Sequence, residues 1–217
     1  MKKEIITKII SIIVNLFITI STTILVIIQV QLELKKVPDI TRITFFNYFT
    51  TLSNIYSAIV SLVVTIFIIV TFKKNDPFPK WLSLLHLSAV TSVALTFITC
   101  VFFLAPMEVV YHRSYWGMFT DFLIFVHFLN PVLAILDFIF LNKYHKMNWI
   151  CAFWGIIPMV IYGAIYSTMV ISKKWNDFYG FTFGGNVWLI FIVLPIMICV
   201  TYLISFLLVS SKKVGQK

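Results

Sequence analysis

Two apolar stretches of this chain carry more polar atoms than a hydrophobic segment needs. The first, FFNYFTTLSNIYSAIVSLVVT, places Asn47, Thr50, Thr51, Asn54, Ser57, Ser61 and Thr65 at spacings of three, four and seven, with Ser53 among them. In a helix those spacings share one face. Hydroxyls and amides on such a face join membrane helices, at about 0.6–2 kcal/mol each. The crowding of Asn47, Thr50, Thr51, Ser53 and Asn54 into two turns exceeds that need and reads as the wall of a wet pocket. The second stretch, MFTDFLIFVHFLNPVLAILDFIFL, sets Thr120, His127, Asn130, Ala134 and Asp137 on one face and leaves Asp121 off it, near the segment's start. A threonine hydroxyl attacks a carbonyl only with a base within hydrogen-bond reach, and a neutral imidazole is such a base. A hydroxyl of the first stripe that meets His127 in a shared cavity, as Thr50 can, is open to such chemistry, with Asn47, Asn54 and Asn130 as candidate donors to the oxyanion it would form. Asp137 lies about 15 Å from His127 along a helix, too far to orient it, and is expected to have a structural partner. His86 reads as a hydrogen-bonded structural histidine.

The elements that must position these groups are membrane spans. Of 217 residues, 60% are apolar and 12% are charged, about half the charge of an ordinary soluble domain. Six apolar runs are long enough to cross a hydrocarbon core of roughly 30 Å: residues 5–30, 44–72, 81–104, 118–141, 149–171 and 187–210. The chain reads as one all-α domain, residues 1–217, a polytopic membrane protein of six transmembrane helices. The first run follows Lys2 and Lys3, but it is longer than a signal-peptide core and no small-residue cleavage site follows it, so it reads as a retained span. Spans four to six each carry a proline (Pro131, Pro158, Pro195) and the first three carry none. That asymmetry disfavours an inverted-repeat transporter.

The net charge of +9 does not mark a nucleic-acid binder, because the 17 lysines and arginines sit in short clusters between apolar runs. There they act as topology signals and headgroup contacts. Eleven lysines fall at the two termini and in the second and fourth loops; six cations, Arg42 among them, fall in the other loops. The excess predicts both termini in the cytoplasm of a cell membrane, with the lysine-over-arginine bias hinting at a bacterial one. Thr50 and His127 then lie roughly 9 and 14 Å below the outer surface, close enough to share an outer-leaflet cavity, whereas His86 lies roughly 8 Å deeper than His127 and cannot pair with it as a haem ligand. Cys100, Cys151 and Cys199 lack the spacing of a disulfide framework or zinc site and read as buried small apolar residues. Neither a metal nor a cofactor is expected. The aromatic loops around Tyr111, Tyr115 and Trp116, and around Trp175, Phe178, Tyr179, Phe181 and Phe183, read as an interfacial belt or as the cap of a lipid site.

The segments YFTTLSN and HFLNPVLAILD resemble the androgen-induced membrane protein family, which includes the androgen-dependent TFPI-regulating protein and bacterial multispanning relatives. The similarity extends loosely to WGIIPMVIYG and WNDFYGFTF. The resemblance implies a threonine hydrolase of fatty-acyl esters, since the mammalian members cleave fatty acid esters of hydroxy fatty acids with one Thr and one His from separate spans. By motif those roles fall on Thr50 and His127, and an acid ten residues after the histidine falls on Asp137. The sequence departs from the mammalian pattern in a fourth-span proline one residue early and in a loop without the family's Trp-x-Tyr-Pro-like stretch. The expected partners are membrane lipids and an acyl ester arriving from the outer leaflet. Two other classes of function fit the same stripes: a small transporter or channel with His127 or Asp137 as proton relay, and a lipid-binding protein in which the stripes only pack.

Overall fold

A computed structural model describes residues 2–36, 44–74 and 76–214; Arg42 and Lys217 of the charge tally lie outside them, as do the side chains of Lys2, Lys3 and Lys213. Among the described residues the chain is all helical, with no strand. The long helices are α1 (Lys2–Lys36), α2 (Phe49–Val70), α3 (Lys80–Thr99), α6 (Phe153–Ile171) and α7 (Ile190–Val214). Helix α3 runs through a π-helical turn, Cys100–Leu104, into the short α4 (Ala105–Val110). The fourth apolar run is a shorter helix, Phe125–Leu141. In it α5 (Asn130–Leu136) is flanked by π turns at Phe125–Leu129 and Asp137–Leu141.

Among the described residues five helices are therefore long and apolar enough to cross a membrane, one fewer than the six runs of the sequence. The difference lies in residues 118–124, where a 3₁₀ turn at Tyr115–Phe119 and a left-handed Asp121 (φ 50°) delay the helix. A non-glycine residue in that region breaks the helical path. Thr120 is consequently an exposed turn residue, hydrogen-bonded to Gly117 O, and does not share a helical face with His127.

Helix α3 is the centre of the bundle, packed against α2, α5, α6 and α7. Its sequence explains this. Ser83, Ser88, Ala89, Thr91, Ser92, Ala94 and Thr96 are small and buried, so neighbouring backbones approach closely, and their hydroxyls return to carbonyls one turn back. On α6, Gly155 makes the same provision: a Cβ there would lie 2.2 Å from Ser205 Oγ on α7 and 2.8 Å from Thr91 Oγ1 on α3. The remaining surface is broadly apolar, with Ile, Leu, Phe and Trp exposed along α1, α6 and α7, as a lipid-facing bundle requires. Of the cysteines only Cys100 is buried; Cys151 is half-buried and Cys199 is exposed, because α7 turns that side of the helix outward.

One end of the bundle gathers the start of α1, the end of α2, the loop after residue 141 and the end of α7. Lys8 Nζ donates to Phe72 O at 2.8 Å and also to Lys74 O. Lys143 pairs with Glu4 at 3.1 Å, and Lys212 donates to Ile139 O at 2.7 Å and Asn142 O at 3.2 Å. Both described chain ends thus lie at this end, and the cavity bearing Thr50 lies at the other.

Candidate functional site

Thr50 is the second residue of α2 and His127 follows the helix start at Leu123 by one turn. Both stand nearer their helix starts than the six runs imply, since α2 begins at Phe49 and not at Thr44. They line one cavity of about 970 Å³, together with Thr51, Glu33, Glu108, Asp177 and Tyr179. Pockets of this size accept ligands of drug or lipid-chain dimensions. The Thr50 hydroxyl has no hydrogen-bond partner among the described residues, whereas its carbonyl accepts from Ser53 Oγ (3.1 Å) and Asn54 Nδ2 (2.8 Å).

His127 is buried, 6% exposed, and its Nδ1 lies 2.7 Å from the carbonyl oxygen of Met118. A carbonyl can only accept, so in the neutral ring Nδ1 carries the proton and Nε2 the lone pair. The Met118 carbonyl thus does for this imidazole what an orienting carboxylate does elsewhere. It reaches the ring because the turn at residues 115–122 folds back over the helix start, the same feature that shortens the fourth run. The π turn that holds His127 further rotates it away from the rest of its stripe: π turns change helical register and recur at functional sites.

The three asparagines fall in different places. Asn54 Nδ2 donates to Thr50 O and to Val126 O (3.1 Å), so both its protons are committed and it ties α2 to the residue preceding His127. Its buried Oδ1 has no partner. Asn130 faces α1: it donates to Thr22 Oγ1 at 3.1 Å and accepts from Ser21 Oγ at 3.0 Å. Asn54 therefore has no proton left for an oxyanion, and Asn130 does not line the cavity. Asn47 lies half-buried in the 3₁₀ turn before α2, its carbonyl accepting from Tyr162 OH at 2.8 Å. Ser53 bonds to Thr96 Oγ1 at 2.9 Å and joins α2 to α3. Asp121 is an exposed turn residue.

Asp137 and His86 form a separate cluster at the opposite end. The Asp137 carboxylate is fully buried and accepts from Ser11 Oγ (2.6 Å) and Asn142 Nδ2 (2.9 Å). His86 Nε2 stands 3.7 Å away, and its Nδ1 shares a 2.8 Å hydrogen bond with Tyr144 OH. The cluster binds α1, α3, the fourth run and the loop after it.

Over the cavity, residues 172–186 form a cap whose aromatic residues point mainly inward. Tyr166, Phe178, Tyr179 and Phe181 pack ring on ring at 4.9–5.5 Å, and only Phe183 is strongly exposed, at 68%. Asp177 holds this loop. Its carboxylate accepts from Phe181 N (2.9 Å), Thr182 N (2.6 Å), Thr182 Oγ1 (2.6 Å) and the Tyr166 hydroxyl, an Asx-type turn. Partial burial works to raise the Asp177 pKa, but these donors to the charged form outweigh it and the net shift is downward. A depressed folded-state pKa contributes stability above the unfolded value, near 3.8, that disappears as pH falls through the folded value. In thermal melts the gap between the wild type and Asp177→Asn is therefore expected to be constant above about pH 5 and to narrow below pH 4. A gap independent of pH would mean that the carboxylate's charge does not hold the loop.

Two of these features were not legible in the sequence: the Met118 carbonyl, which has no side-chain signal, and Tyr179, hidden among belt-like aromatics. Compared with family models, curated proteins and solved structures, the chain finds no match.

Proposed function

We propose that this chain is an intramembrane threonine hydrolase of fatty-acyl esters, with Thr50 as nucleophile and His127 as base. The observation that carries the reading is an unpartnered threonine hydroxyl on the wall of the same 970 Å³ cavity as a histidine whose Nδ1 is fixed by a backbone carbonyl. Thr50 Oγ attacks the ester carbonyl while its proton passes to His127 Nε2. The tetrahedral intermediate then collapses, the carbon–oxygen bond to the alcohol breaks, and His127 returns the proton to that oxygen. Water, deprotonated by the same nitrogen, cleaves the acyl-threonine and restores the hydroxyl. The motif resemblance to androgen-induced membrane proteins supports the same pair.

In this reading Phe125–Leu141 is a sixth crossing, since Val126 is bonded to the start of α2 and Asp137 to Ser11 at the other end of the bundle. Both termini are cytoplasmic in a bacterial plasma membrane, and the substrate arrives laterally from the outer leaflet. Glu33, Glu108 and Asp177 on the cavity wall favour neutral ester headgroups over anionic ones. The hydroxyls and amides that a transporter would need along its path are largely committed between helices.

The test is reaction of the purified protein with a fluorophosphonate probe. The expected result is one adduct, mapped by peptide mass to Thr50 and lost in Thr50→Ala. An adduct elsewhere, or none alongside no ester cleavage, overturns the proposal.

A further inference from the structure

The hydrolytic reading leaves the oxyanion without a donor from the asparagines, because Asn54 commits both amide protons and neither Asn47 nor Asn130 lines the cavity. We infer that Tyr179 fills this place: its phenolic O–H is the hydrogen-bond donor to the ester oxygen that becomes negative when Thr50 attacks. The inference rests on the Thr50–His127 reading and adds a residue that the sequence placed only in an aromatic belt.

The geometry converges on the phenol oxygen. Phe49 N–H donates to it at 2.8 Å. This is the first amide of α2, which has no partner within its own helix. Tyr179 OH is thus an acceptor of a backbone proton beside the Tyr162 phenol, and a substrate oxygen in the cavity would take its own proton in place of that neighbour. A phenol polarised by incoming donors is a stronger donor in turn. Tyr179 also lines the right space. It borders both the outer cavity and a small hollow of about 30 Å³ on its inner side, and Thr50 borders the same two. The Phe49 amide that holds the phenol directly precedes Thr50, so the phenol stands beside the residue whose Oγ attacks the carbonyl carbon. Stacking on Phe181 and edge contact with Tyr48 fix the ring, with centroids at 5.3 and 6.4 Å, so the donor is in position before the charge develops.

Burial raises the Tyr179 pKa, to about 12, against the lowering effect of its hydrogen bonds. The phenol therefore keeps its proton through the neutral range and donates without transferring it. When Thr50 Oγ bonds to the carbonyl carbon, the π pair moves to oxygen and is held by the Tyr179 O–H; on collapse the pair returns and the alcohol leaves. No other reactant is needed.

The experiment is steady-state ester hydrolysis by the full-length protein in detergent or vesicles, comparing wild type, Tyr179→Phe and Tyr162→Phe. Loss of one oxyanion donor predicts a fall in kcat of about 10²–10³-fold in Tyr179→Phe with KM little changed. Tyr162→Phe removes the neighbouring phenol, which donates to the Asn47 carbonyl and hydrogen-bonds Tyr179, and measures the cost of disturbing the aromatic cluster while the Tyr179 hydroxyl stays in place. Should Tyr179→Phe fail to fold, difluorotyrosine in place of Tyr179 keeps the acceptor and lowers only the phenol's pKa; the alkaline limb of kcat then moves to lower pH. Equal kcat losses in the two phenylalanine variants, or an alkaline limb that stays in place, overturn the inference while leaving Thr50 and His127 in their roles. A wild type that neither cleaves esters nor labels at Thr50 overturns the underlying reading and this inference with it.

Discussion

His127→Ala lowers kcat for ester cleavage by about 10²–10⁴-fold, the usual contribution of a positioned general base, and Thr50→Ala removes the acyl-enzyme altogether. The double variant is expected to be no slower than the worse single one, because nucleophile and base act as a unit and their effects do not add. The reason lies in the tautomer. With Nδ1 bound to Met118 O at 2.7 Å, only Nε2 of the ring can take the threonine proton, and alanine removes it. Single-turnover kinetics with a chromogenic acyl ester, together with probe labelling, measure both effects. Cleavage persisting at wild-type rate in both single variants would exclude the pair.

Asp137→Ala destabilises the folded protein by about 3–5 kcal/mol, the range for removing one partner of a buried charged cluster. The carboxylate is fully buried and its loss strands several groups at once: Ser11 Oγ, donating at 2.6 Å, and Asn142 Nδ2, donating at 2.9 Å. Lys212 is anchored on the Asn142 and Ile139 carbonyls and stacks on the Tyr144 ring at 4.7 Å, so the disturbance spreads to the end of α7. Asp137→Asn keeps an acceptor for Ser11 and costs less. Unfolding followed by circular dichroism in detergent gives the difference, and Thr50 labelling in the fraction still folded is expected to survive, since cluster and cavity occupy opposite ends of the bundle. An unchanged unfolding midpoint in Asp137→Ala would show that the cluster is not a structural lock.

These two outcomes separate the polar residues by role, which a helical stripe alone could not do. Asn130, Asp137 and His127 share a face in a uniform helix, yet Asn130 binds α1 through Thr22 and Ser21, Asp137 binds α1 through Ser11, and His127 turns to the cavity. Two π turns within seventeen residues, Phe125–Leu129 and Asp137–Leu141, change the register that the 3.6-residue period assumes. Asn54 shows the same limit. Its place beside Thr50 is visible in the sequence, but only the bundle commits its amide to the Val126 carbonyl across the interface.

The amino-acid order by itself determined the helical class and the presence of five long apolar helices among the described residues, because long apolar segments satisfy their own backbone as helices. It also counted a sixth run, which the structure shortens to Phe125–Leu141. The depths of Thr50 and His127 in their apolar runs were also legible in that order, while their pairing as nucleophile and base came from the motif resemblance. The tertiary structure decided where the fourth helix begins, which nitrogen of His127 is basic and that Tyr179 lies beside Thr50. Each of those depends on a backbone carbonyl or amide meeting a side chain from a distant part of the chain. Such groups are the same in every residue and leave no mark in the sequence.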